Sequence, residues 1–363
     1  SFLSKTKKFI AMLQKEFEQR KAASQYIRAT QARTGQINVN RLHAYKLTDD
    51  IFKSVTVLAN AKNHGLIMLV DYSGSMSGVI KDVYLQVINI SLFCKACNIP
   101  FEVYGFTDGN SSVKYGNTAP KNTTIDGHIN FGTLRLIQVA SSSMSSTVFK
   151  KAIQSLWFMS QGAPVGAYES LSNTPLNEAI VASHSLVQRF KERNKVEKMT
   201  FLVVSDGAGG QLNIQLDPAF AAMSTTQTGY GYGYSNQPTD MEIRLGGRQI
   251  ETTQTYRECT SNLIDNMRKS MNVRTICFFI TGGDIGSLKR EAEEAIKNGL
   301  DKKVSMAKIS KNAELEKMIH VPGGHHYDDY FVIGGAGLQI NNSSFSEKST
   351  AKDTAAIAKE FEA

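Results

Sequence analysis

The chain has 363 residues, 41% of them hydrophobic and 20% charged, with a formal net charge of +8. This is an ordinary globular balance, long enough for one large domain with additions or for two small ones. No apolar run approaches the ~20 residues that a membrane-crossing helix needs, and residues 1–8 lack the apolar core of a signal peptide.

Taken in chain order, residues 5–30 are predicted as one helix, with Phe9, Leu13 and Phe17 four apart in an apolar stripe that Ile10 and Met12 widen. The first fifty residues hold ten Lys or Arg against four Asp or Glu. Such an arm suits nucleic acid, an acidic protein surface, or no more than a solvated helix face. Aromatic interleaving is sparse there and no nucleic-acid motif is present, so nucleic acid is not the favoured partner. A polar joint is expected over 34–42, and a short helix and strand over 47–58.

The most informative stretch is Leu66-Ile-Met-Leu-Val-Asp-Tyr-Ser-Gly-Ser-Met76. Its continuous apolar run suits a strand buried on both faces at the centre of a parallel sheet. The turn that leaves this strand carries the carboxylate of Asp71 and the hydroxyls of Ser73 and Ser75 at alternate positions. Oxygen ligands of this kind are what a hard divalent cation such as Mg²⁺ or Mn²⁺ requires. They stand at the carboxyl end of a strand, where open α/β sheets place their ligands.

Further on, a helix over 77–98 and a strand over 101–107 are expected, then a loop rich in Asn, Ser, Thr and Gly over 108–130. A strand over 133–140, a helix over 146–158 and an amphipathic helix over 177–193 follow. Thr174 opens that last helix, with Pro175 at its first position. The run Met199-Thr-Phe-Leu-Val-Val-Ser-Asp-Gly207 is a second buried strand. After it comes an insertion, 208–256, containing Tyr230, Tyr232 and Tyr234 alternating with glycine, then two alternating runs around Gly246-Gly247 that read as a hairpin. A helix over 258–271, a strand over 273–280, a helix over 287–298 and a C-terminal helix over 351–361 complete the series.

Several chemistries are not supported. There is no phosphate-binding Gly-x-x-x-x-Gly-Lys-Ser/Thr, and the glycines at 229, 231 and 233 lack the strand–helix context of a dinucleotide fingerprint. No Gly-x-Ser-x-Gly follows a strand, and no His is placed to activate Ser73 or Ser75; no catalytic residue is expected. Cys94 and Cys97 lie within a helical pattern and Cys277 within a strand, which with Cys259 suits buried reduced thiols better than a redox pair or zinc site. Pro322-Gly-Gly-His325-His326 reads as a surface turn in preference to a metal site, because adjacent His side chains diverge.

Asp-x-Ser-x-Ser at 71–75, then Thr174-Pro-Leu176, then Ser205-Asp206-Gly207, each after the expected element, resembles the metal-ion-dependent adhesion site of von Willebrand factor A (vWA) domains. The resemblance implies an α/β fold, a doubly wound and mostly parallel sheet, here with a basic N-terminal helical arm (1–60), a vWA domain (61–335) and a C-terminal tail (336–363). It implies that Asp71, Ser73, Ser75, Thr174 and Asp206 hold Mg²⁺ or Mn²⁺ and that a client protein supplies an acidic residue to the ion. Within the superfamily, Arg28-Ala-Thr-Gln-Ala-Arg-Thr-Gly-Gln-Ile-Asn-Val-Asn-Arg-Leu42, Asp50-Ile-Phe52 and Lys62-Asn-His-Gly-Leu66 are similar to the CobT-type vWA subunit of cobaltochelatase and its relatives in large tailed phages. That likeness implies a cytoplasmic adaptor (in the host cytoplasm if phage-encoded) working with a MoxR-type AAA+ ATPase. Tyr230, Tyr232 and Tyr234 are expected to touch the partner. The acidic low-complexity region of the chelatase subunit is missing. A true cobalt- or magnesium-chelatase subunit, and a structural or assembly protein of a phage particle, are the alternative readings.

Overall fold

A computed structural model describes residues 10–19, 21, 30–37, 52–57, 64–108, 128–129, 134–162, 171, 173–207, 214–215, 241–245, 248–252, 256–282, 284–300, 304–309 and 317–335. The chain divides into two compact units, Ser1–Asn63 with Asn341–Ala363, and His64–Ile340.

In the first unit, residues 10–19 and 21 are helical, and β1 (Thr30–Ile37) pairs antiparallel with β2 (Phe52–Val57) from Thr30↔Val57 to Ile37↔Phe52. The helix expected to run to residue 30 therefore gives way to a strand there, and part of the expected polar joint is also strand. Backbone pairing across the hairpin outweighs the weak strand preference of Thr-Gln-Ala-Arg-Thr-Gly-Gln-Ile.

The second unit is built on one sheet. Its core strands are β3 (His64–Asp71) and β4 (Phe101–Asp108). A small antiparallel pair, β5 (His128–Ile129) with β8 (Ile214–Gln215), stands apart from it. The sheet continues with β6 (Leu134–Ser141) and β7 (Lys198–Ser205). The insertion hairpin is β9 (Met241–Leu245) with β10 (Arg248–Thr252), paired antiparallel as its sequence predicts. β11 (Val273–Thr281), β12 (Met318–Pro322) and β13 (Asp329–Gly334) complete the sheet. The spatial order is β12-β13-β11-β7-β3-β4-β6. The five inner strands run parallel, and the edge strands β6 and β12 are antiparallel to their neighbours.

Strands β3, β4 and β7 are buried on both faces along most of their length, as their apolar runs require, whereas β11 alternates buried residues with partly exposed ones. Ile67 to Val70 of β3 are at most 1% exposed. Helices α1 (Ile80–Ala96) and α2 (Ser146–Ser160) pack together on one face. On the other, α3 (Leu176–Asn194), α4 (Tyr256–Met271) and α5 (Ile285–Lys297) share one apolar core with alternate residues of β3, β7, β11 and β13. This is the expected doubly wound α/β architecture.

The strand order positions the site. From β3 the chain crosses to β4 on one side, and later enters β7 on the other. The crevice between the carboxyl ends of β3 and β7 is therefore a topological switch point, where this class of sheet binds ligands. The four cysteines are buried and form no disulfide. Burial pushes the thiols of Cys94 and Cys259 up to about 12, so they persist as inert protonated thiols. The helix expected over 351–361 lies outside the described residues, as does most of the 108–130 loop.

Candidate metal centre

Asp71 is the last residue of β3 and is fully buried between β4 and β7. Its Oδ2 accepts a 2.5 Å hydrogen bond from the hydroxyl of Ser205, the last residue of β7. Its Oδ1 is buried with no hydrogen-bond partner among the described residues. Burial pushes this carboxyl up to about 7, against the hydrogen bond from Ser205 and the nearby polar groups of Ser73, which favour the anion; the charge of Asp206 raises it further.

After Asp71 the chain turns through Tyr72 and Ser73 into a 3₁₀ turn, Gly74–Gly78. Two backbone bonds fix it: Tyr72 N–H donates to Phe106 O at 2.9 Å and Met76 N–H to Ser73 O at 3.2 Å. Two buried side chains anchor it, Tyr72 and Met76. Ser73 is buried and Ser75 exposed, with their hydroxyls 2.9 Å apart. Ser75 donates to Asp206 Oδ1 at 2.8 Å, and Ser73 Oγ lies 3.5 Å from the same oxygen. Three of the five expected ligands, Ser73, Ser75 and Asp206, thus form one hydrogen-bonded oxygen cluster, and Asp71 adjoins it through Ser205, the residue before Asp206.

Thr174 lies near Gly207, the residue after Asp206: a Cβ built on Gly207 would lie 4.0 Å from Thr174 Oγ1. Helix α3 begins at Leu176, with Pro175 as its N-cap residue, one place earlier than the first helical position expected for it. The Thr174 loop is tied down by a pair that sequence reasoning missed. Asp108, ending β4, accepts from Asn173 N–H at 2.9 Å and from Asn173 Nδ2 at 2.5 Å. Ser205 was also missed as a partner of Asp71. The signals were a carboxylate just past an alternating strand and a hydroxyl beside Asp206, but neither names its partner.

The donor set is two carboxylates and three hydroxyls, all hard oxygen, and the unsatisfied Asp71 Oδ1 is an acceptor without a donor. These residues fit a hard divalent cation. Among the described residues no group of three or more His, Cys, Asp or Glu is arranged for a metal, so an ion here would need the serine and threonine hydroxyls. Tyr230, Tyr232 and Tyr234, expected to touch a partner, lie outside the described residues.

The His325–His326 turn differs from expectation. His325 is 5% exposed, packed under Tyr330 with ring centroids 5.1 Å apart, so it is a core group and not a surface one. Helices α4 and α5 both pack on this turn, which accounts for its burial.

No protein-family model matches the chain, and no curated protein matches it. Among solved structures, it is similar to the vWF domain of the type V pili tip protein Mfa5 from Porphyromonas gingivalis, at 9% identity over 84% of this chain and 96% of that one, with a TM-score of 0.34. It is also similar to the pilus adhesin SpaC from Lactobacillus rhamnosus GG in its open conformation, at 13% identity over 84% of this chain, with a TM-score of 0.36. This chain spans 31% of the length of SpaC. The chain's own sheet, seven-stranded, mostly parallel and flanked by helices, is a doubly wound α/β fold.

Proposed function

We propose that this chain is a divalent-metal-dependent protein-binding module. Asp71, Ser73, Ser75, Thr174 and Asp206 hold Mg²⁺ (or Mn²⁺), and an acidic side chain of a client completes the coordination. The observation that carries this reading is the oxygen cluster at the switch point, with a buried Asp71 oxygen left unsatisfied beside it. When bound, the ion supplies positive charge that attracts a carboxylate. Two protein carboxylates leave a 2+ ion with little surplus negative charge, so a third from outside is accommodated. Ser205 orients Asp71, and Ser75 orients Asp206. Among the described residues, no base lies within hydrogen-bond reach of Ser73 or Ser75 except the carboxylate of Asp206, itself assigned to the ion, which favours docking over hydrolysis.

In this reading the motor partner is a MoxR-type AAA+ ATPase and the setting is cytoplasmic, as for CobT-type subunits. Support comes from the order of the three motifs, the lead-in residues 28–42 and 62–66, and four buried cysteines that form no disulfide.

The test is a pull-down with the full chain from its native extract, in Mg²⁺ and in EDTA, read by mass spectrometry. Recovery of an AAA+ ATPase only with Mg²⁺ supports both parts of the proposal. Mg²⁺-dependent recovery of cell-surface proteins with no ATPase would keep the docking chemistry and overturn the partnership. Recovery indifferent to metal would overturn the docking role.

A further inference from the structure

The sheet ends in two edges of opposite character. Strand β12 is five residues long and ends in Pro322. Shortness and proline are two of the devices by which proteins blunt an edge against further pairing. Strand β6 has neither. It is eight residues long, Leu-Arg-Leu-Ile-Gln-Val-Ala-Ser, with no lysine and no acidic residue. Its one charge, Arg135, is buried at 8% exposure. A single bulge at Val139, between the pairs Val103↔Ala140 and Tyr104↔Gln138, leaves Leu134–Gln138 as a regular run. Among the described residues no strand pairs with the outer side of β6.

An edge of this length and polarity is a template for another strand. Two features favour a second copy of the same chain. The first is closure. Pairing β6 with the same strand of a second copy about a twofold axis uses both unguarded edges, and the joined sheet then ends on β12 at either side. Pairing β6 with β12 would run on without closing, and the short, proline-ended β12 opposes it.

The second feature is size. Eight residues at ~3.4 Å each span about 27 Å, and a sheet with a helix layer about 10 Å away on either face is ~20 Å tall. Such a seam buries roughly 500 Å² per copy, or about 1,000 Å² in all, the lower bound for a specific interface. With Arg135 buried, no like charges face each other across it. Helix α2 packs on β6 and brings uncovered apolar surface to this end of the sheet, with Val148 and Phe158 50% and 59% exposed.

We infer that two copies of this chain join through β6 as an antiparallel twofold pair, making one continuous sheet. Because β6 runs antiparallel to β4, the parallel strands of one copy point opposite to those of the other. Their carboxyl ends, and with them the two metal centres, face opposite sides of the dimer. Such a dimer bridges two clients. That consequence rests on the docking reading; the seam does not.

Sedimentation velocity of the full chain in EDTA, from ~1 to ~100 µM, reads the association. The expected result is a monomer that becomes a dimer within this range and grows no further. A monomer at every concentration would overturn the second copy and leave the edge to a strand of another protein. Species larger than a dimer would overturn the closed twofold. Hydrogen exchange at the two concentration limits locates the contact without any variant. Amides of β6 should exchange about tenfold more slowly, or more, in the dimer; slowing confined to other elements would refute the seam. Leu136→Lys with Gln138→Lys puts charge on the edge and should weaken the dimer by roughly tenfold or more, with folding checked by circular dichroism. A folded variant that dimerises unchanged would contradict the proposal, and if it fails to fold the exchange measurement decides. Asp71→Ala should dimerise as the wild type does, whatever becomes of metal binding. Dimerisation lost with Asp71 would put the contact at the metal edge and overturn the seam.

Discussion

Gly105→Ala gives a direct test of how the fold supports the site. Gly105 lies in the middle of β4, and a Cβ there would stand 2.8 Å from Tyr72 Cε2 and Cζ and 3.0 Å from Cδ2. Carbon atoms pack at roughly 3.5–4.0 Å, so the ring must retreat by about 0.7 Å or more. It has little room to do so: Tyr72 is 1% exposed and meets Tyr84 edge-on, with centroids 5.8 Å apart. Overpacking of this kind costs about 1–3 kcal/mol. Tyr72 also sits between Asp71 and Ser73, so displacing its ring shifts both ligands, and Mg²⁺ affinity should fall by roughly tenfold or more, as when a supporting contact of a metal site is lost. Urea denaturation in EDTA reads the first effect and Mg²⁺ titration calorimetry the second. Tyr72→Leu in the same chain should relieve the clash, so that the two substitutions together cost less than their sum. A Gly105→Ala protein with the wild-type midpoint and wild-type Mg²⁺ affinity would refute this reasoning.

Other expectations follow from the same geometry. Asp108→Ala releases Asn173 and with it the Thr174 loop, and Mg²⁺ affinity should drop by roughly 10–100-fold with little change in Tm; unchanged affinity would separate Asp108 from the site. His184 in α3 is 7% exposed with Nε2 unpartnered, and burial depresses it from 6.5 to about 4. The unfolded chain takes up this proton first. The contribution to stability is therefore present above pH 6.5 and is lost as pH falls toward 4, by at most about 3 kcal/mol. In His184→Gln that part of the acid destabilisation should vanish; an identical pH profile would contradict the assignment.

What was legible in the sequence followed locality. Asp71, Ser73 and Ser75 are near neighbours after an unmistakable buried strand, so their shared turn could be read directly. Asp206 and Thr174 required the order of three motifs, since nothing local to either points to Asp71. Asp108 and Ser205 were hidden because each acts through a partner on another element: Asp108 through Asn173, and Ser205 through Asp71. Of the N-terminal pair, β2 falls within the strand expected over 47–58, while β1 was missed because it has no strong alternation of its own and depends on β2 for its hydrogen bonds. Strands β12 and β13 had no place among the sequence expectations. His325 was misjudged because Gly-Gly-His-His carries a turn signal, while its burial comes from α4 and α5, elements distant in sequence.

The central claim is that the switch-point cluster binds a divalent cation. Its most direct measurement is Mg²⁺ titration calorimetry on the full chain beside Asp71→Ala, with folding of both checked by circular dichroism. The account predicts one Mg²⁺ site in the wild type and none in the folded variant. Equal binding by both proteins, or none by the wild type, would contradict it.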